Sequence, residues 1–154
     1  MKDFRRLQVW GKAHDLVLQV YKETQAFPQE ECYGLTAQAR RASASVLANV
    51  AEGCGRRSDR EFARYLQIGM GSAVELEYHL LLARDLGYLA EAKYMDLQSR
   101  TIEVQRMLGS LIRKVQKEPA GNRPARTKAI GNGGVSSPDR TEVHGRRGGQ
   151  GATG

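Results

Sequence analysis

The sequence predicts an all-α protein: an antiparallel up-down-up-down four-helix bundle over residues 1–118, with a disordered C-terminal tail over residues 119–154. Three observations carry this. Apolar residues recur at steps of three and four in four separate segments. The breaks between segments are short, at Pro28, at Gly53 and Gly55, and at Gly87, and short connections make consecutive helices antiparallel neighbours. The composition changes near residue 119: the last stretch holds nine of the 17 glycines and three of the four prolines, with Ile130, Val135 and Val143 its only larger aliphatic residues. Such a segment cannot bury enough apolar surface to offset its ordering entropy.

The first helix has the stripe Trp10, Ala13, Val17, Val20 and Thr24, widened by Leu16 and Tyr21, with Asp3 placed to cap its start. Pro28 ends it and suits the first turn of the next helix, expected from about Pro28 to Glu52. That second stripe is Leu35, Ala39, Ala42, Val46 and Val50, and Gly53 and Gly55 are expected to stop it. The third helix starts at Ser58, which stands in capping-box spacing with Glu61. Phe62, Leu66, Gly69, Ala73, Leu76, Leu80 and Ala83 then alternate four and three until Gly87. The fourth runs from about Ala90 to Lys117 on Tyr94, Leu97, Thr101, Val104, Leu108, Leu111 and Val115. Strict four–three stripes favour near-parallel packing with interdigitated side chains.

Several function classes find no support. No stretch of about 18 apolar residues exists to span a bilayer. The start "MKDFRRLQVW" lacks the apolar core of a signal peptide. Cys32 and Cys54 would lie about 33 Å apart along one helix, beyond disulfide reach, which fits a reduced cytoplasmic setting. The segment "GCGRRS" follows a helix and lacks the lysine and spacing of a nucleotide P-loop. Glu75 and His79 form one i, i+4 pair, His14 stands beside Asp15, and neither cysteine lies in a CxxC. No metal, cofactor or catalytic constellation is expected, and the chain reads as non-enzymatic.

One polar set stands out. Gln38, Arg41, Ser45, Asn49 and Glu52 share a face of the second helix; Ser72, Glu75 and His79 share a face of the third. A hairpin about the 53–58 corner brings Arg41 level with Ser72 and Glu75. Two readings stand: a partly buried seam with an Arg41–Glu75 ion pair, or an ordinary solvated face.

The net charge of +7 is shared between the bundle and the tail. Within the bundle, alternating chain direction sorts charge by end. One end collects Lys2, Arg5, Arg6, Arg56, Arg57, Arg60, Arg64, Arg113, Lys114 and Lys117 against five carboxylates, for a balance of +5. The other has Lys22, Arg84 and Lys93 against six carboxylates, for −3. A basic end that also holds a helix N-terminus suits a phosphate backbone. Phe62 and Tyr65 are expected to pack inward, so no aromatic platform for bases is expected there. Binding should then follow shape and charge, with weak sequence preference. The tail motif "GRRGGQG" faintly echoes Arg-Gly RNA-binding segments, and a solubilising or vestigial tail is the better reading of it.

The stretches "FRRLQVWGKAHDLVLQVYKET", "FPQEECYGLTAQARRASASVLANVAEG" and "GRRSDREFARYLQIGMGSAVELEYHLLLARDLGYL" resemble the four helix bundle proteins encoded in intervening sequences of bacterial 23S ribosomal RNA genes. The resemblance covers residues 4 to about 115; the tail finds no counterpart. It implies a small basic bacterial protein without a catalytic role. The wider group includes the accessory variability determinant of diversity-generating retroelements, a basic bundle that assembles as a pentamer and binds nucleic acid and a reverse transcriptase. By similarity, a homo-oligomer, plausibly a pentamer, is implied. Asn49, Glu52, Gly53, Ser72 and Glu75 fall in the family's recognisable motifs, so the seam is implied to serve fold or assembly. Where the family commonly has proline this chain has Leu47, which leaves the second helix free to run on. The leading expectation is a homo-oligomeric binder of RNA or DNA. The alternative is a protein-interaction subunit, such as a reverse-transcriptase accessory protein.

Overall fold

The computed structural model describes residues 3–117, so Lys2, Glu118 and the expected tail at 119–154 lie outside the described residues. Four helices follow one another: α1 (Gln8–Thr24), α2 (Leu35–Cys54), α3 (Asp59–Asp85) and α4 (Glu91–Lys117). Each helix packs on the next and α4 closes back on α1, while the backbones of the diagonal pairs α1/α3 and α2/α4 stay apart. The directions alternate. Lys12 pairs with Glu103 at 3.0 Å and Glu23 with Lys93 at 3.1 Å, so α1 and α4 run antiparallel. Ser45 meets Ser72 and Arg41 meets Glu75, which reverses α3 on α2. Gln105 reaching Glu77, and Gly109 facing Met70, reverse α4 on α3. The up-down-up-down bundle is the fold that the short breaks predict.

The core is the set of stripes read from the sequence. Every member of the α3 stripe is buried, and Leu16, Leu66, Leu76, Leu80, Leu97 and Leu108 are almost fully removed from water. Truncating any of these leucines to alanine removes roughly 2–5 kcal/mol, because the cavity adds to the lost transfer term. Two stripes need adjusting. Tyr21 is exposed and stacks its ring against Arg40, whose guanidinium carbon lies 4.8 Å from the ring centre. On α4, Ile112 is buried and Leu111 only half-buried. A straight helix turns every 3.6 residues, so a strict seven-residue stripe drifts by its far end.

The start of α2 differs from the expected Pro28. A short 3₁₀ turn at Gln29–Glu31 comes first and the α-helix begins at Leu35. The Glu31 carboxylate caps it, accepting the Leu35 N–H at 2.8 Å. A side chain on Gly34 would displace that carboxylate, so glycine there leaves room for the cap. From there α2 runs as one element through Leu47 to Cys54.

Gly53 does not stop α2; it lies inside it. A Cβ there would come within 2.9 Å of both Phe62 Cδ2 and Tyr65 Cβ, so its missing side chain lets α3 approach. Gly69 does the same from the other side, where a Cβ would sit 3.3 Å from the Val46 carbonyl oxygen. The α3 terminus uses glycine differently. Gly87 has φ +77°, in the left-handed region. The Tyr88 N–H reaches the Ala83 carbonyl and the Gly87 N–H the Arg84 carbonyl, which is a Schellman cap.

Candidate nucleic-acid interface

The alternation of direction puts the start of α1, the α2–α3 corner at 55–58 and the end of α4 at one end of the bundle. No long crossover separates them. Arg5 and Arg6 sit in a 3₁₀ turn, Phe4–Arg6, that packs on both α1 and α2. Asp3 caps this turn rather than α1, accepting the Arg5 N–H at 3.1 Å. Phe4 anchors it, its ring 5.6 Å from that of Trp10. Among the described residues this end carries nine of the predicted cations against Asp3, Glu52, Asp59 and Glu61, a balance of +5.

The nine cations are not equivalent. Arg56 is held by the protein: it pairs with Glu52, donates to the Tyr65 hydroxyl at 2.6 Å, and lies 4.5 Å above the Tyr65 ring. Tyr65 is therefore half-buried at the surface rather than packed inward, because its ring supports the arginine. Phe62 is buried as expected. Arg6 lies 3.9 Å from Asp3 in an exposed geometry worth little. Arg113 donates to Ser110 Oγ at 3.1 Å. Arg57, Arg60, Arg64, Lys114 and Lys117 are exposed, and no carboxylate of the described residues lies within ion-pair distance of them.

The corner is capped on its α3 side. Ser58 caps α3 by accepting the Glu61 N–H at 3.2 Å. The return half of the capping box differs, since the Glu61 carboxylate accepts the Ser58 hydroxyl at 3.1 Å. Asp59 and Glu61 in the first turn offset part of the positive helix terminus.

The polar set between α2 and α3 forms, with its parts divided differently from either sequence reading. Ser45 and Ser72 hydroxyls meet at 2.9 Å across the helix pair. Asn49 Nδ2 donates to the Ser45 carbonyl at 2.8 Å and to its hydroxyl at 3.2 Å. Arg41 and Glu75 do pair, at 3.7 Å, but with the Arg41 side chain 70% and Glu75 46% exposed, so the pair is a surface one. Glu75 also contacts His79 Nε2 at 3.2 Å. His79 is tucked in, and its Nδ1 is buried without a hydrogen-bond partner. Glu52 lies outside the seam because Arg56 claims it. What the sequence missed here is the serine–serine contact and the burial of His79; only the α2–α3 register sets them.

At the opposite end two of the three predicted cations, Arg84 and Lys93, are tied down, while Lys22 is exposed and has no carboxylate of the described residues within ion-pair distance. Arg84 pairs with Asp85 at 2.9 Å and Glu91 at 3.9 Å and covers the Tyr94 ring at 4.4 Å. The hydrogen bond to Asp85 holds the Arg84 guanidinium above its ordinary pKa. Cys32 is exposed and Cys54 buried, and neither forms a disulfide. No helix among the described residues is long and apolar enough to cross a membrane.

A family model described as 23S rRNA-intervening sequence protein matches residues 5–110. A crystal structure of a protein of unknown function from the S23 ribosomal protein family of Bacteroides thetaiotaomicron is similar in fold. Its TM-score is 0.63 at 23% identity, covering 68% of this chain and 95% of that one. No curated protein matches the sequence.

Proposed function

The chain belongs to the 23S rRNA-intervening sequence protein family, and from that premise we propose that it is a non-enzymatic basic bundle that binds RNA or DNA through its phosphate backbone, working as a homo-oligomer. The observation that carries this reading is the unequal treatment of cations at the two ends. Arg57, Arg60, Arg64, Lys114 and Lys117 stand free of carboxylates among the described residues, whereas at the far end Arg84 and Lys93 are paired and Lys22 alone of the three predicted cations is not. Free, exposed cations gathered at one end release counterions when they meet phosphates, and that release is the main source of sequence-independent affinity.

Self-association is supported by the outer face of α2. No charged residue lies between Arg41 and Glu52, Ala48 is exposed, and Leu47 is only partly covered by the core. Leu18 and Tyr21 on the neighbouring α1 add exposed apolar surface. A closed ring, plausibly a pentamer, would present several basic ends about one axis and multiply a weak contact. Under the second reading, a subunit for a protein partner such as a reverse transcriptase, the same basic end meets nucleic acid only within the complex.

The test is binding of a structured RNA by the full chain across a potassium chloride series. A steep fall of log affinity with log salt is expected. Replacing Arg57, Arg60 and Arg64 together with glutamate should reduce affinity by roughly a hundredfold or more. Full retention of affinity by that variant would exclude this end as the site. Stable capture of a polymerase with nucleic acid removed would favour the second reading.

A further inference from the structure

The basic surface does not stop at the end of the bundle. On α3, Arg60, Arg64, Gln67 and Gly71 follow one another at steps of four, three and four, and all are exposed. On α4, Arg106, Ser110, Arg113 and Lys117 do the same, and all are exposed. Each set is therefore one face of its helix. The two helices are adjacent and antiparallel. Gln105 donates to Glu77 at 2.7 Å, and the position a Cβ would take on Gly109 lies 3.8 Å from Met70 Cε and 3.5 Å from Arg113 Nη1. The Arg113 guanidinium thus lies over the α3–α4 junction. At Gly71 a Cβ would meet nothing within 4 Å, so the α3 side of the flank is open.

Carboxylates are missing from this flank over a long stretch. α3 has none between Glu61 and Glu75, and α4 has none between Glu103 and Lys117. The nearest ones are occupied, Glu77 by Gln105 and Glu103 by Lys12 of α1. From Lys117 to Arg106 this face extends about 16 Å along the axis. The α1–α2 flank offers no such strip: Lys12 is paired with Glu103, Arg40 donates to Thr24, and Arg41 contacts Glu75.

We infer that the phosphate backbone runs up the α3–α4 flank, with Arg64, Arg113 and Arg106 as successive contacts and Arg106 as its far limit. This rests on the nucleic-acid reading above and adds a site residue, Arg106, about three turns from Lys117 at the end itself. A cation on a strip empty of carboxylates keeps its charge available, and a strip of this length spans several phosphates of one strand.

The experiment uses the full chain and a fluorescent RNA hairpin, with anisotropy read across a potassium chloride series. Arg106→Ala should lower the slope of log affinity against log salt by about one, and Arg106→Glu should weaken binding by about tenfold. Lys22→Glu, an equal charge change at the acidic end, should stay within about twofold of the parent. Circular dichroism confirms that each variant folds. If Arg106→Glu binds like the parent while the Arg57, Arg60 and Arg64 triple variant does not, the flank is excluded and the end alone is the site. Equal losses from Arg106→Glu and Lys22→Glu would also overturn the flank, since net charge would explain both. Binding undiminished in the triple variant and in Arg106→Glu alike would exclude both the end and the flank, whereas a parent chain that shows no salt-dependent binding would remove the nucleic-acid reading itself.

Discussion

The two corners that bound α3 reach a similar reversal by opposite means. The 55–58 corner needs room: Gly53 is helical, and only its missing side chain lets Phe62 and Tyr65 come close. The 86–90 corner needs a dihedral angle: Gly87 sits at φ +77° with open space around it. Their arginines differ in the same way. Arg84 is bound by Asp85 and Glu91, and Arg57 and Arg60 have no such partner among the described residues. One corner spends its charge inside the fold, and the other leaves it for something outside. Net charge alone does not reveal this, because the distinction lies in which cations already have a carboxylate.

Substitutions at the two glycines sharpen the contrast. Gly53→Ala should have the larger effect, destabilising by about 1–3 kcal/mol through overpacking against Phe62 and Tyr65. The loss should appear as a lower urea midpoint. Because Phe62 and Tyr65 share the first turns of α3 with Arg60 and Arg64, displacing them should also weaken RNA binding. Gly87→Ala should cost about 1 kcal/mol, since the strain lies in the left-handed backbone and not in contacts. RNA affinity should stay at the parent value. Equal effects of the two changes on binding would erase the proposed difference between the corners.

The smallest effect concerns alkaline pH. Tyr88, beside the 86–90 corner, is pushed above the ordinary tyrosine pKa, first by burial and then by Glu31, whose carboxylate accepts its hydroxyl at 3.4 Å. A raised folded-state pKa means that the folded chain keeps its proton longer than the unfolded one. The contribution is fully present below the unfolded value of about 10 and is lost as pH rises through the folded value. Urea midpoints should therefore fall as pH rises above about 10, and Tyr88→Phe should flatten that fall. A Tyr88→Phe curve parallel to the parent would show that the phenol takes no part.

The bundle was legible because its signals are local. Phe62 to Ala83 bury at every stripe position, and Ser58 caps where a serine three residues before a glutamate should. The failures share a cause. The start of α2 depends on a carboxylate folding back from Glu31, and the interior position of Gly53 depends on a ring from the next helix. Neither leaves a period in the sequence. The same holds for the site. Topology alone gathered Arg5, Arg57 and Lys114 at one end, yet the tie of Arg56 to Tyr65 needed coordinates, although its i, i+4 spacing from Glu52 was readable. Arg106 escaped for a further reason: it matters through what its flank lacks, and an absence of acid becomes visible only once two helices are set side by side.

The alternation of the rods also says where an observer can stand. The beginning of α1 and the finish of α4 emerge among the arginines, so a tag near either would crowd the surface it was meant to report on. The 86–90 turn is the far pole, a 27-residue helix away, or about 40 Å. A dye fixed there would feel the whole particle slow as RNA loads, without being touched by it.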